Sequence, residues 1–552
     1  MSRRPTPDAC RPRYTIAHDP PSPPQRTVAI GVRRSLAESR WAAPLVVALA
    51  AVAVNLGALF DRLALDDMAI FAHPALESWR TLPRALVSPW WYETGRLYRP
   101  LTLLSLGVDR QLAGGAPWLA HAGNLALHAA VAALVVVLAR RFIASWPAVA
   151  AGALVALLPV HVEAVASVVG RAELLAALAL VALLLVVTRV APPTRRAEIG
   201  VALLAAAALA AKESGAVAPL LAAAAAYAVP QQRAHARRWG IAASCGTLVL
   251  LAARVAVLGT IGGDVPHPYF RALPPLARIG VALVNLPRTA AMLLLPIQPA
   301  IEEVPPLAAA WHPSVALLCL GAALLLLVLA LIALHLRRPS ALTFGACLLA
   351  ATIAPTSNLI FAEGALTART LYAPSIGAAL MAGGVFAWLA SRGARSALAV
   401  VVTTVCVASV VLDAREVRVW RDTPSVIAAM IARHADNYRG HELLAYSARD
   451  AGDARGALPQ FARAIELFSG DAELLTDGAV VALRVRDTST AERWLKTAVE
   501  ESPRAARART RLYTILRARG DTRGARVLLI DGLRLEPQQR TWASALAALE
   551  PR

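Results

Sequence analysis

The feature that most limits what this chain can fold into is its series of long apolar runs, at residues 41–60, 168–187, 241–258, 314–336 and 397–411. Most approach the ~20 residues that an α-helix needs to cross a hydrocarbon core of about 30 Å. Because no water enters that core, each backbone N–H and C=O must bond within its own segment, which helices achieve. Hydrophobic residues make up 57% of the chain, too many for an ordinary soluble protein. The expected class is all-α, a polytopic helical membrane protein.

The net charge of +20 would suit nucleic-acid binding in a soluble chain. Here the arginines cluster in the gaps between apolar runs, as membrane topology requires, and no nucleic-acid partner is expected. The 5 cysteines are scattered, with neither metal spacing nor a disulfide framework. Residues 1–40, rich in Arg, Pro and Ser, read as a disordered basic tail on the cytoplasmic side rather than a cleaved signal. The first span then delivers Asp66 and Asp67 to the outer face, at the start of a large outer loop, 61–117. Paired carboxylates at the water edge of a membrane are costly to place and point to surface chemistry. The plainer alternative is that they begin a solvated loop.

Charge alternation along the remaining runs favours about eleven spans. It holds if residues 279–295, with Asn285, Pro287 and Arg288, form a broken, re-entrant or interfacial segment. Residues 41–423 then form the membrane domain, and the last span exports residues 424–552.

That C-terminal region carries a fixed period. Asp453, Asp487 and Asp521 are 34 residues apart, as are Ala457, Ala491 and Ala525, and Phe461, Leu495 and Leu529. A 34-residue period with small residues where helices meet is the signature of tetratricopeptide repeats, about three of them here. Such an α-solenoid binds peptides or partner proteins.

The unusual polar residues of the membrane half fall on the outer side. They are Asp66 and Asp67, Arg99, His161 and Glu163, Arg171 and Glu173, Lys212 and Glu213, and near the later spans Asn358, Glu363, Arg369 and Tyr372. Carboxylates beside several cations suit transfer from a lipid phosphate carrier. The cations would neutralise the leaving phosphate, and an Asp would deprotonate an acceptor hydroxyl. Each has a structural alternative: Arg171 with Glu173 as an internal pair, Lys212 and Glu213 as ties between helices, and His121 with His128 as hydrogen bonds between spans. His161 and Glu163 offer two ligands to a divalent metal, too few to define a site, and no other cofactor is implied.

The order Asp66-Asp67, Tyr98-Arg99-Pro100-Leu101-Thr102, His121-Ala-Gly-Asn124, His161-Val-Glu163, Gly170-Arg171-Ala-Glu173, Lys212-Glu213-Ser-Gly and Arg369-Thr-Leu-Tyr372-Ala-Pro374-Ser375 resembles the transmembrane and tetratricopeptide-repeat-containing O-mannosyltransferase family. The likeness runs in order from about residue 45 into the repeats, and the Arg- and Ala-rich composition suggests a bacterial relative in the inner or plasma membrane. The resemblance implies a GT-C glycosyltransferase fold, a polyprenyl-phosphate-linked sugar donor, mannose or another hexose, and a Ser or Thr hydroxyl acceptor. It implies a catalytic base at Asp66 or Asp67 without choosing between them. It assigns donor phosphate or substrate contacts to Arg99, His161, Glu163, Arg171, Lys212, Glu213, Arg369 and Tyr372. The competing reading is a non-catalytic membrane anchor displaying a repeat scaffold for envelope assembly. A transporter would place its ionisable groups near the midplane.

Overall fold

The computed structural model describes residues 39–261, 268–305, 307–357 and 365–549. The basic tail, Asn358 and Glu363 lie outside the described residues. Within them the chain is helical, with only two isolated backbone bridges, Trp91 with Arg96 and Glu303 with Leu366.

Among the described residues eight helices are long and apolar enough to cross a membrane: Ala42–Phe60, Trp118–Ala139, Val168–Val187, Arg233–Leu258, Pro275–Leu294, Val315–His335, Ala368–Ser391 and Arg395–Val419. A ninth candidate is the pair Ser145–Leu157 and Pro159–Ala166, bent by 50°. The bend falls where Pro159 can neither donate a helical hydrogen bond nor clear the preceding turn. Exposed leucines and valines such as Leu326, Leu327, Val249 and Val400 stud these helices, a surface that suits lipid rather than water.

Of the forms expected for residues 275–294, the broken one is not found. Instead of breaking at Asn285, Pro287 and Arg288, this helix runs unbroken through Pro287. Its hydropathy is the lowest of the eight. Val281 joins a buried cluster with Tyr269, Phe270 and Phe468 of the C-terminal region, so one face of the helix meets protein instead of lipid.

The segment 61–117, expected as a large outer loop, is more built than its sequence promised. It holds the helices Asp66–Phe71 and Pro100–Leu112, and its own core of Ile70, Leu76, Trp90, Leu103 and Leu106.

The C-terminal region is a succession of packed helix pairs, Tyr438–Asp450 with Ala454–Leu467, Ala472–Arg484 with Thr488–Glu501, and Ala506–Ala518 with Thr522–Leu535. The repeated positions have separate physical jobs. Asp453, Asp487 and Asp521 are N-caps, accepting the amides of Gly456, Thr490 and Gly524 at 2.8, 3.0 and 2.8 Å and so satisfying donors that a helix start leaves free. Ala457, Ala491 and Ala525 are fully buried, as are Phe461, Leu495 and Leu529.

Candidate functional site

The adjacent carboxylates Asp66 and Asp67 face opposite ways. Both sit in the first turn of the short helix Asp66–Phe71, entered through Leu65 at φ 49°. A leucine in this left-handed region is strained, and the twist lets the chain aim neighbouring side chains apart. Asp67 points inward and is fully buried. Its Oδ1 accepts the Ser167 hydroxyl at 2.9 Å and the Val169 amide at 2.8 Å, and its Oδ2 accepts the Ala64 amide at 3.3 Å. Burial pushes its pKa up to about 6, with those hydrogen bonds opposing.

Asp66 keeps 39% of its side chain exposed and meets the Arg369 guanidinium at 3.5 Å. The protein around it thins its hydration and raises its pKa, while the nearby positive charge of Arg369 pulls it down. Arg369 also pairs with Glu163, 3.6 Å from its Nε, and its own amide donates to Glu163 Oε2 at 2.9 Å. One guanidinium therefore holds two carboxylates brought together from the first loop and the bent helix pair.

Two further ion-paired groups tie the helix ends nearby. Arg99 donates twice to Glu213 Oε2, at 2.9 and 2.8 Å, and lies over the Trp90 ring. Arg254 reaches the other oxygen of Glu213 at 3.2 Å. Lys212 pairs with Glu173, so Lys212 and Glu213 do tie neighbouring helices. Close packing sets these motifs. A Cβ on Gly215 would lie 2.2 Å from the Ala208 carbonyl carbon, and one on Gly170 would lie 2.2 Å from the Ala164 carbonyl oxygen.

Other expected ligand residues are turned inward. Arg171 spends its donors on Asn124 at 2.6 Å, Ser105 at 2.5 Å, and Asp109 and the Ala120 carbonyl, both at 2.7 Å. It pairs with Asp109 rather than Glu173. His161 is buried between the Leu158 carbonyl at 3.0 Å and the Ser375 hydroxyl at 2.8 Å. Tyr372, also buried, meets His128 Nδ1 at 2.7 Å, a hydrogen bond between spans of the kind expected for His128. With His161 held by Leu158 and Ser375 and Glu163 by Arg369, the pair does not fit a divalent metal. Among the described residues no cluster of three or more His, Cys, Asp and Glu could hold one.

Sequence reasoning missed Glu302. It stands at φ 45°, and its negative charge acts on Asp66. Arg439, at the start of the first C-terminal helix pair, reaches it at 3.1 Å. Glu303 beside it accepts Arg288 at 2.7 and 2.5 Å and meets His434 at 3.0 Å. The Glu303–Leu366 bridge, with 2.9 Å bonds in both directions, and the Ala368 amide on Ala300 at 3.0 Å then fix the segment leading into Arg369. No signal in the sequence distinguished Glu302; its position emerges from backbone strain and these long-range bonds.

Parts of the chain are similar to curated proteins. Over 81 residues it is 52% identical to a Drosophila melanogaster protein named Protein O-mannosyl-transferase Tmtc2, covering 14% of this chain and 9% of the relative. Over 92 residues it is 38% identical to human Protein O-mannosyl-transferase TMTC3, covering 17% and 10%. Over 128 residues it is 36% identical to Drosophila Protein O-mannosyl-transferase Tmtc1, covering 22% and 14%. The chain thus spans about a tenth of the length of the curated relatives it matches. No family model matches the chain.

Proposed function

We propose that the chain is a membrane glycosyltransferase of GT-C type. It moves a sugar, mannose or another hexose, from a polyprenyl-phosphate donor to a Ser or Thr hydroxyl of a protein on the outer face of the membrane. The similarity to proteins named O-mannosyl-transferases supports a sugar-transfer reaction. The observation that carries the mechanism is the division of labour at Asp66 and Asp67, one open and facing Arg369, the other sealed.

In this reading Asp66 is the general base. It takes the acceptor hydroxyl proton as the oxygen attacks the anomeric carbon. The bond from that carbon to the phosphate oxygen breaks, and the polyprenyl phosphate leaves with the electron pair, inverting the anomeric centre. A positioned base contributes roughly 10²–10⁴-fold in rate. Arg369 opposes the burial that raises the Asp66 pKa and offers positive charge to the leaving phosphate. Arg99, 15% exposed on its Trp90 platform, is the second cation for that phosphate. Asp67, Arg171, His161 and Tyr372 hold the frame.

Topology follows the same reading. About eleven spans are expected. Among the described residues seven of the long helices, the bent pair and the shorter apolar helix Ala341–Thr356 support nine of them, and charge alternation puts the other two across residues 195–211 and 218–232. Pro275–Leu294 then lies in the outer interface against the repeats, and the tetratricopeptide region, 424–552, gathers the acceptor outside the cytoplasm. The test is sugar transfer by the wild type and by Asp66→Asn and Asp67→Asn, each with its folded state checked.

A further inference from the structure

The first helices of the three C-terminal pairs carry matching positions on one face. Arg439, Glu473 and Arg507 are 34 residues apart, as are Leu443, Asp477 and Arg511, and Tyr446 with Val480. Within a helix these positions are spaced by 4 and 3, so they share a stripe. At Arg439 the stripe begins beside the candidate site, through the 3.1 Å contact to Glu302.

Further along, a groove of about 360 Å³ is lined by Arg449, Asp450, Asp477, Val480, Arg484, Arg507 and Arg511. Four arginines face two aspartates there. Arg449 occupies Asp450 at 2.8 Å and reaches Asp477 at 3.5 Å, and Arg507 holds Asp477 at 2.8 Å. Arg484 and Arg511, both exposed, form no ion pair among the described residues. They present two planar donor forks of the kind that bind carboxylates bidentately. Val480, half-buried in the same lining, adds an apolar side chain.

We propose that this groove docks an acidic stretch of the acceptor polypeptide, with Arg484 and Arg511 taking its carboxylates. The stripe running back to Arg439 leads the neighbouring part of the chain toward Asp66. The proposal rests on the glycosyltransferase reading for the acceptor's fate, but the docking itself can be measured without catalysis. An acidic peptide is favoured over a basic or neutral one because the charge left unpaired in the groove is positive, and such attraction weakens with salt.

The experiment uses the full-length protein in nanodiscs and three short fluorescent peptides, rich in Ser and Thr, that differ only in carrying Glu, Gln or Lys at alternate positions. Binding is read by fluorescence anisotropy at two salt concentrations. The Glu peptide is expected to bind about tenfold more tightly than the Gln peptide, and to lose that advantage in Arg484→Glu/Arg511→Glu and at high salt. Both arginines are exposed, so a unchanged melting curve in the variant separates lost docking from lost folding. Equal binding of all three peptides, or undiminished Glu-peptide binding by the double variant, overturns the docking proposal. Intact docking with no sugar transfer under any donor would instead count against the enzymatic reading alone.

Discussion

The Val169 amide donates to Asp67 Oδ1 at 2.8 Å, joining the segment after the first long helix to the start of the apolar helix Val168–Val187. This bond, with the Ser167 hydroxyl beside it, makes Asp67 a clamp and leaves Asp66 as the open carboxylate.

The clamp predicts opposite phenotypes for adjacent residues. Asp67→Ala strands two buried amides and a hydroxyl, and should cost about 2–4 kcal/mol. Asp67→Asn can keep the Ser167 and Val169 bonds on its one oxygen and loses the Ala64 bond alone, so it should cost less. Asp66→Asn should leave the thermal unfolding midpoint in detergent close to wild type.

The Asp67 clamp also has a pH signature. Its folded pKa of about 6 lies above its ordinary value of 3.8, so the folded state binds the proton more tightly than the unfolded chain. Its contribution is therefore most favourable below the unfolded value and is lost as pH rises through about 6. In Asp67→Asn that slope should vanish from a plot of midpoint against pH, which a fluorescence-based melting series would read.

Transfer should depend on pH through Asp66. Its pKa is raised by burial and held down by Arg369, and only the ionised form can accept a proton. The acid limb of kcat/KM should lie above the ordinary carboxylate range. Arg369→Gln removes the opposing charge, so the limb should move further up in addition to any fall in rate.

Gly170 should tolerate no side chain. A Cβ there meets the Ala164 backbone oxygen at 2.2 Å, and backbone cannot step aside as a flexible side chain can. Gly170→Ala should cost about 1–3 kcal/mol or more and displace Val169 from Asp67, which folded yield after detergent extraction would show. Gly200, with nothing within 4 Å of its added Cβ, is the control.

The parts of the architecture readable from sequence were those written in periodicity. Runs of about 20 apolar residues marked most of the long helices, and the 34-residue step located Asp453, Asp487 and Asp521, whose capping role explains why that position repeats. The cluster around Arg369 was legible as charged residues at helix ends, but not which of them are paired and which open. Asp66 and Asp67 are neighbours with the same chemistry, separated only by the turn at Leu65 and by which carboxylate finds the Val169 amide. Arg171 looked available because its partners Asn124, Ser105 and Asp109 come from two other helices. Pro287 suggested a break that packing overrides, since its helix is held against Val315–His335, where Gly321 lets the Leu283 backbone approach.

The central claim is that Asp66 is the base of a sugar-transfer reaction. It is tested most directly by supplying membranes with labelled polyprenyl-phosphate mannose and a Ser- and Thr-rich acceptor, and comparing wild type with Asp66→Asn at equal folded protein. Transfer by the wild type and a loss of roughly 10²–10⁴-fold in the variant are expected. Transfer that survives Asp66→Asn undiminished would contradict it.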